Sequence, residues 1–159
     1  DLFGRKEYFL PQLIASAETM QKAMEHLEPR LRDARSGRKR KGPILLATVQ
    51  GDIHDIGKNI VALMLRNHGF QVVDLGKDVA AEAILKAVRR HKAPVVGLSA
   101  LMTTTMVRMP EVIRLAREKG LQCRFILGGA VVTRAFAESL GASFARDGVD
   151  AVKTIEGML

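Results

Sequence analysis

The chain has 159 residues, 47% of them hydrophobic and 26% charged, enough for one domain with a sizeable core plus a small appendage. No apolar run approaches the roughly 20 residues that span a bilayer, and no signal peptide opens the chain. The formal charge of +8 is carried largely by the run Arg35-Ser-Gly-Arg38-Lys39-Arg40-Lys41, which reads as a solvated linker; no aromatic residues are interleaved with it, and nucleic acid is not an expected partner.

The only cysteine, Cys123, excludes an intrachain disulfide and makes a reducing, cytoplasmic setting the default. The first residue is Asp, so the chain is expected to be processed or to be a piece of something longer.

Residues 11 to 34 carry a helical stripe: Leu13, Ile14, Ala17, Met20, Met24, Leu27 and Leu31, with Pro11 suited to a first turn. Pro29 kinks or ends that helix near Glu28. The few residues before the stripe cannot bury it, so part of a helical bundle is expected to be missing. Residues 1–35 are assigned to this helical piece, 36–42 to the linker, and 43–159 to a domain in which strand and helix alternate.

The predicted strands are Ile44 to Val49, Gln71 to Asp74, Pro94 to Leu98, Arg124 to Leu127 and Ser143 to Ala145. The predicted helices are Gly57 to His68, Val79 to His91 with Asp78 as N-cap, Thr105 to Lys119 with Pro110 inside it, Thr133 to Leu140, and Val149 to Gly157. Strands joined through helices run parallel, and right-handed crossovers cover both faces of the sheet. The expected fold is α/β, a flavodoxin-like doubly wound sheet of five strands in the order 2-1-3-4-5.

In such sheets a ligand crevice opens at the carboxyl ends of the strands where the order reverses, here between strands 1 and 3. The loops that meet there are Gln50-Gly-Asp-Ile-His-Asp-Ile, Ser99-Ala-Leu-Met-Thr-Thr-Thr105 and, beside them, Gly128-Gly129-Ala130. The first is neither a P-loop nor a dinucleotide fingerprint. Asp52 two residues before His54 suggests an acid that accepts one ring N–H and leaves the other nitrogen free as base or metal ligand. One His cannot make a zinc site, although one axial His suffices for a metal already held by a macrocycle. From spacing alone, an imidazole that merely bonds the loop backbone is an equal reading.

Asp52-x-His54-x-x-Gly57, followed by Ser99-x-Leu101 and Gly128-Gly129, resembles the cobalamin-binding signature DxHxxG…SxL…GG. The fuller string GDIHDIGKNIV resembles the methyl-transferring branch: cobalamin-dependent methionine synthase and the corrinoid proteins of methanol and methylamine metabolism. The resemblance implies that His54 replaces the cofactor's own base as lower ligand of cobalt. Asp52 then bonds the other ring nitrogen, and Thr105 completes a relay. It implies that Ser99, Leu101, Thr103, Gly57, Gly128 and Gly129 line the slot of the displaced nucleotide tail; Asp55 is grouped with these cofactor-binding residues. Beyond that, Asp55 and Lys58 read as loop and helix-start residues. The family's GAD-x-Y pattern is replaced here by Gly141-Ala142-Ser143-Phe144, so its tyrosine has no counterpart.

The segment LFGRKEYFLPQLIASAETMQKAMEHLEP resembles the last part of the methionine-synthase cap, which implies that Phe3, Leu10 and Leu13 face the methyl group. On this resemblance the expected function is a cobalamin-binding methyl-carrier module, first of methionine synthase, passing a methyl group from methyltetrahydrofolate to homocysteine. The alternatives are a corrinoid protein of a methanol or methylamine system and a non-catalytic cobalamin sensor. A mutase module and a receiver domain fit less well: a mutase module normally lacks the cap segment, and a receiver needs an Asp where Ser99 stands. The expected partners are methyl-donor and methyl-acceptor domains or subunits and a reactivation protein, with no membrane. No thiol, zinc or folate site is visible, so the chain alone is expected to be a carrier and not a complete catalyst.

Overall fold

The computed structural model describes residues 12, 15, 16, 18–20, 22, 23, 26, 27 and 41–159. The chain divides into two compact units, Asp1–Arg38 and Lys39–Leu159. In the first, all the described residues are helical. Two hydroxyls bond back onto that helix, Ser16 Oγ donating to the Gln12 carbonyl and Thr19 Oγ1 to that of Ala15, each at 2.8 Å. The readings placed on Phe3, Leu10, Leu13 and Pro29 lie outside the described residues.

The second unit runs β1 (Lys41–Thr48), α1 (Ile56–Asn67), β2 (Phe70–Asp74), α2 (Ala81–His91), β3 (Val95–Ser99), α3 (Thr103–Met106), α4 (Met109–Glu118), β4 (Arg124–Gly128), α5 (Arg134–Ser139), β5 (Ser143–Phe144) and α6 (Gly148–Glu156). The strands form one parallel sheet in the order β2-β1-β3-β4-β5, as the alternation of elements led us to expect.

Both faces of the sheet are covered, and β1 shows how. Ile44 and Leu46 join Ala62, Leu65, Ala151, Val152 and Ile155 of α1 and α6 in one core layer. Leu45 and Ala47 join Ile84, Leu85, Val88, Val112, Ile113 and Ala137 of α2, α4 and α5 in the other. A strand buried on both sides must be apolar at every position, which is why β1 reads as a continuous run rather than an alternation. Leu45 and Leu65 are fully buried, each worth roughly 1.5–3 kcal/mol of apolar transfer.

Three local expectations need correction. First, the single helix expected from Thr105 to Lys119 is two, α3 and α4, with Pro110 in the first turn of α4. There the missing N–H has no intrahelical partner to lose, so the proline starts a helix instead of bending one. Second, Asp78 does not cap α2. That helix begins at Ala81 with Ala80 at its N-cap position, and Asp78 adopts a left-handed conformation, φ 53°. Third, Lys58 is not a plain helix-start residue: it is buried against Asp74. The remaining boundaries coincide or shift by at most three residues. Thr133 and Asp147 cap α5 and α6, their side chains accepting from the amides of Phe136 and Asp150.

Strand register places the site. Thr48 pairs with Ser99 and Ser99 with Gly128, so the carboxyl ends of β1, β3 and β4 stand level and release their loops side by side.

Candidate functional site

The loop after β1 turns sharply. Gly51 takes φ +83°, and the Asp52 amide donates back to the Val49 carbonyl at 3.1 Å. That turn swings the Asp52 side chain inward until it is fully buried. A buried carboxylate is tolerated only where hydrogen bonds replace its water, and Asp52 has them. Its Oδ1 accepts from the His54 amide at 3.0 Å and sits 2.8 Å from the His54 Nδ1. Its Oδ2 accepts from the Leu101 amide at 2.7 Å and from Thr105 Oγ1 at 2.6 Å. Burial alone pushes the Asp52 carboxyl up, but the bonds from Thr105, from the amides of His54 and Leu101 and from the imidazole outweigh it. They hold the group well below the usual carboxylate range.

An ionised carboxylate only accepts, so the proton of a neutral His54 ring lies on Nδ1. Nε2 then presents a lone pair, and it has no partner among the described residues. The His54 side chain is 45% exposed while that of Asp52 is 0% exposed, so the acid is sealed behind an imidazole that faces outward. Thr48 Oγ1 adds a long contact, 3.4 Å, to the His54 carbonyl. Ile53, Leu101 and Met102 are exposed large hydrophobic residues on the loops after β1 and β3. A free donor nitrogen on a loop that also exposes apolar side chains suits a large, largely apolar ligand that carries an electron-pair acceptor.

Among the described residues no group of three or more His, Cys, Asp or Glu side chains could hold a metal ion. The donor set is one imidazole, which suits a metal already held equatorially.

The sequence-predicted residues divide accordingly. The structure brings together Asp52, His54, Leu101 and Thr105 by direct bonds. Ser99 ends β3, and its carbonyl accepts from the Val49 amide at 3.1 Å. Thr103 is exposed at the start of α3, and Asp55 stands half-buried at the N-cap position of α1 without a side-chain capping bond. Gly57 has open space where a side chain would go. A side chain on Gly128 would press on the Ala145 carbonyl, at 3.1 Å. At Gly129, φ +123°, an added Cβ would lie 1.9 Å from the Ala100 carbonyl oxygen. The fold itself therefore demands that glycine, because the loop after β4 crosses directly against backbone after β3.

Two groups escaped the sequence reading. Asp78 Oδ1 accepts from the Gly51 amide at 2.7 Å, while its own amide donates to the Asp52 carbonyl at 3.0 Å. The loop after β2 thus clamps the turn that aims Asp52. Lys58 Nζ donates to both oxygens of Asp74 at 2.6 Å. The usable signal was a lysine in the first turn of a helix, where the dipole disfavours a cation.

Comparison with known proteins agrees with this geometry. The B12 binding domain family profile matches residues 42–157, and a second B12 binding domain profile matches residues 1–28. The trimethylamine corrinoid protein 2 of Methanosarcina mazei is 41% identical over 160 residues, covering 99% of this chain and 73% of that protein. The structure of the Methanosarcina barkeri monomethylamine corrinoid protein superposes with a TM-score of 0.84 at 35% identity, covering 100% of this chain and 76% of that one. The methanol:cobalamin methyltransferase complex MtaBC from the same organism gives 0.74 at 35% identity, covering 99% and 60%. These relatives back the alternative read from the sequence, a corrinoid protein of a methanol or methylamine system, better than the first choice, methionine synthase. The string GDIHDIGKNIV could not separate the two because both branches share it.

Proposed function

This chain belongs to the B12 binding domain family, with cobalamin as its cofactor, and from that premise we propose that it is the corrinoid methyl carrier of a methylamine methyltransferase system. The match that carries the methylamine assignment extends over nearly the whole chain, 99% of it, at 41% identity to a trimethylamine corrinoid protein.

In this reading His54 Nε2 would hold the corrin cobalt. The residues fit that role: the nitrogen has no partner among the described residues, its tautomer is set by Asp52, and Ile53, Leu101 and Met102 are exposed apolar residues on the loops after β1 and β3. Cobalamin held there would supply the chemistry of methyl transfer, and His54 would hold its metal. Asp52 holds the Nδ1 proton and so fixes which ring nitrogen stays free, and Thr105 and the Leu101 amide keep Asp52 ionised and aimed. A proton on Nε2 would take away the lone pair with which His54 would hold the metal. Ser99, Leu101, Thr103, Gly57, Gly128 and Gly129 would line the slot for the nucleotide tail, and Asp55 is grouped with these cofactor-binding residues.

The proposal keeps the division read from the sequence: residues 1–35 as a piece of a helical cap, 36–42 as a linker and 43–159 as the cofactor domain. The chain works with a separate methylamine methyltransferase subunit, a thiol-methylating subunit and a reactivation protein, in the cytoplasm. Among the described residues no helix is long and apolar enough to cross a membrane.

The test is methyl transfer. The cobalamin-loaded chain is mixed with a methylamine methyltransferase subunit and offered trimethylamine, dimethylamine, monomethylamine, methanol or methyltetrahydrofolate. Cofactor methylation from one of the methylamines supports the proposal; methylation only from methanol or from methyltetrahydrofolate contradicts it.

A further inference from the structure

Lys58 is a charged side chain beside the site to which no role in ligation has been given. It lies in the first turn of α1, four residues after His54, and its side chain is 3% exposed. Nothing about helix stability favours it there, because the dipole opposes a cation at that end. Its Nζ nevertheless has a complete set of acceptors: both Asp74 oxygens at 2.6 Å and Asn59 Oδ1 at 2.7 Å.

Asp74, the last residue of β2, is itself shared. Its Oδ1 also accepts from the Gly76 amide at 2.9 Å, and the Gly76 carbonyl accepts from the Thr48 amide at 3.0 Å. The bonds therefore run from the start of α1, through the end of β2, to the last residue of β1, just before the histidine loop. The start of α1 has few other supports. Asp55 at the N-cap position makes no side-chain bond, and the first turn holds no acidic residue. Nor does packing hold it tightly, since Gly57 faces open space and Ile60 is 36% exposed.

A buried ion pair is a poor way to gain stability, since a well-packed apolar pair does as well or better. What such a pair does supply is a fixed register between two elements. We propose that Lys58, pinned by Asp74, is a positioning residue: it fixes where α1 begins and so holds His54 at the distance and angle from which Nε2 reaches the corrin metal. This rests on the reading of His54 as the axial ligand. It makes Lys58 and Asp74 a support for the imidazole separate from the Asp52–Thr105 relay.

The experiment uses the full chain loaded with cobalamin, with the ratio of histidine-on to histidine-off cofactor read from the visible spectrum at saturation. Lys58→Met leaves Asp74 without its partner and can fail to fold, so the decisive variant is Lys58→Met with Asp74→Leu, which removes both charges together. Asp74→Asn is measured beside it as the change that conserves shape. The double variant is expected to fold with a lowered thermal midpoint in the cofactor-free state, because the Gly76 amide loses its acceptor on Asp74, and still to bind cobalamin. Its histidine-on ratio is expected to fall roughly ten- to a hundredfold, the scale of losses when a group supporting a metal ligand is removed. Asp74→Asn is expected to fall between it and the wild type. A folded, cobalamin-bound double variant with the wild-type ratio overturns the proposal. A wild-type spectrum that His54→Gly leaves unchanged is a different result; it overturns the ligand reading, and the role of Lys58 falls with it.

Discussion

Replacing Asp52 by Asn keeps the shape of the site and removes its charge, and the structure lets the cost be worked through. The carboxylate accepts four bonds, two on each oxygen. An amide has one oxygen, so one pair of donors must face its NH2 group. Turned toward His54, the amide oxygen keeps the His54 amide and ring bonds. The NH2 group then meets Thr105, which already reaches the Met102 carbonyl at 2.9 Å and can donate there while accepting from the new amide. Only the Leu101 N–H is left facing a donor. One unsatisfied buried amide costs about 1–3 kcal/mol, and loss of charge assistance in the surviving bonds adds to it. The expected destabilisation of the cofactor-free protein is about 2–4 kcal/mol at pH 7, read by urea unfolding. The opposite rotamer strands both His54 donors and costs more.

The pH dependence follows with a definite sign. The folded-state pKa of Asp52 lies below its unfolded value, so its contribution is complete above the ordinary carboxylate range and fades as pH falls toward the folded value. The gap between wild type and Asp52→Asn should therefore narrow below about pH 4, by at most about 1.4 kcal/mol per pH unit. A difference under roughly 0.5 kcal/mol at pH 7, the range of an ordinary surface change, refutes the reasoning. So does a gap that widens as pH falls.

Other substitutions test other parts of the account. Gly129→Ala should cost about 2–5 kcal/mol, combining left-handed backbone strain with collision against the Ala100 carbonyl, and show as a large drop in thermal midpoint or loss of soluble protein. Pro110→Ala should shift the thermal midpoint little, by about 2 °C or less, because the proline starts α4; a drop on the scale of a core substitution would contradict that placement. Thr133→Ala should cost about 1 kcal/mol through loss of the cap on α5, measured by chemical denaturation. Thr105→Val should leave the fold intact and lower histidine-on occupancy, since it removes one donor from Asp52 without touching His54; an unchanged spectrum would detach Thr105 from the relay.

What could be read in the sequence depended on how local the cause was. The parallel sheet and its order follow from alternation, because short apolar runs such as Ile44 to Val49, separated by helices, leave few other topologies. The order then put the site at the ends of β1 and β3 before any side chain was placed. Asp52 and His54 are two residues apart, so their bond was legible from spacing. Lys58 with Asp74 was not, because the partner arrives through the β2 pairing, 16 residues away. Asp78 was misread for the same reason: an Asp before a helix is a good cap, but its left-handed backbone commits its carboxylate to Gly51. The break between α3 and α4 was half legible, since Pro110 marked a discontinuity without saying which side of it was helical. Gly128 and Gly129 were singled out for a ligand, yet Gly129 answers first to the backbone of Ala100.

The account turns on one bond, from His54 Nε2 to cobalt. Electron paramagnetic resonance of the chain loaded with cob(II)alamin reads it directly, because a nitrogen ligand splits the cobalt lines according to its nuclear spin. In protein made with 15N-labelled histidine and unlabelled cofactor, the account expects the triplet splitting of a 14N ligand to become a doublet, and to vanish in His54→Gly. A triplet that ignores the label would place the cofactor's own base on the metal and contradict the account.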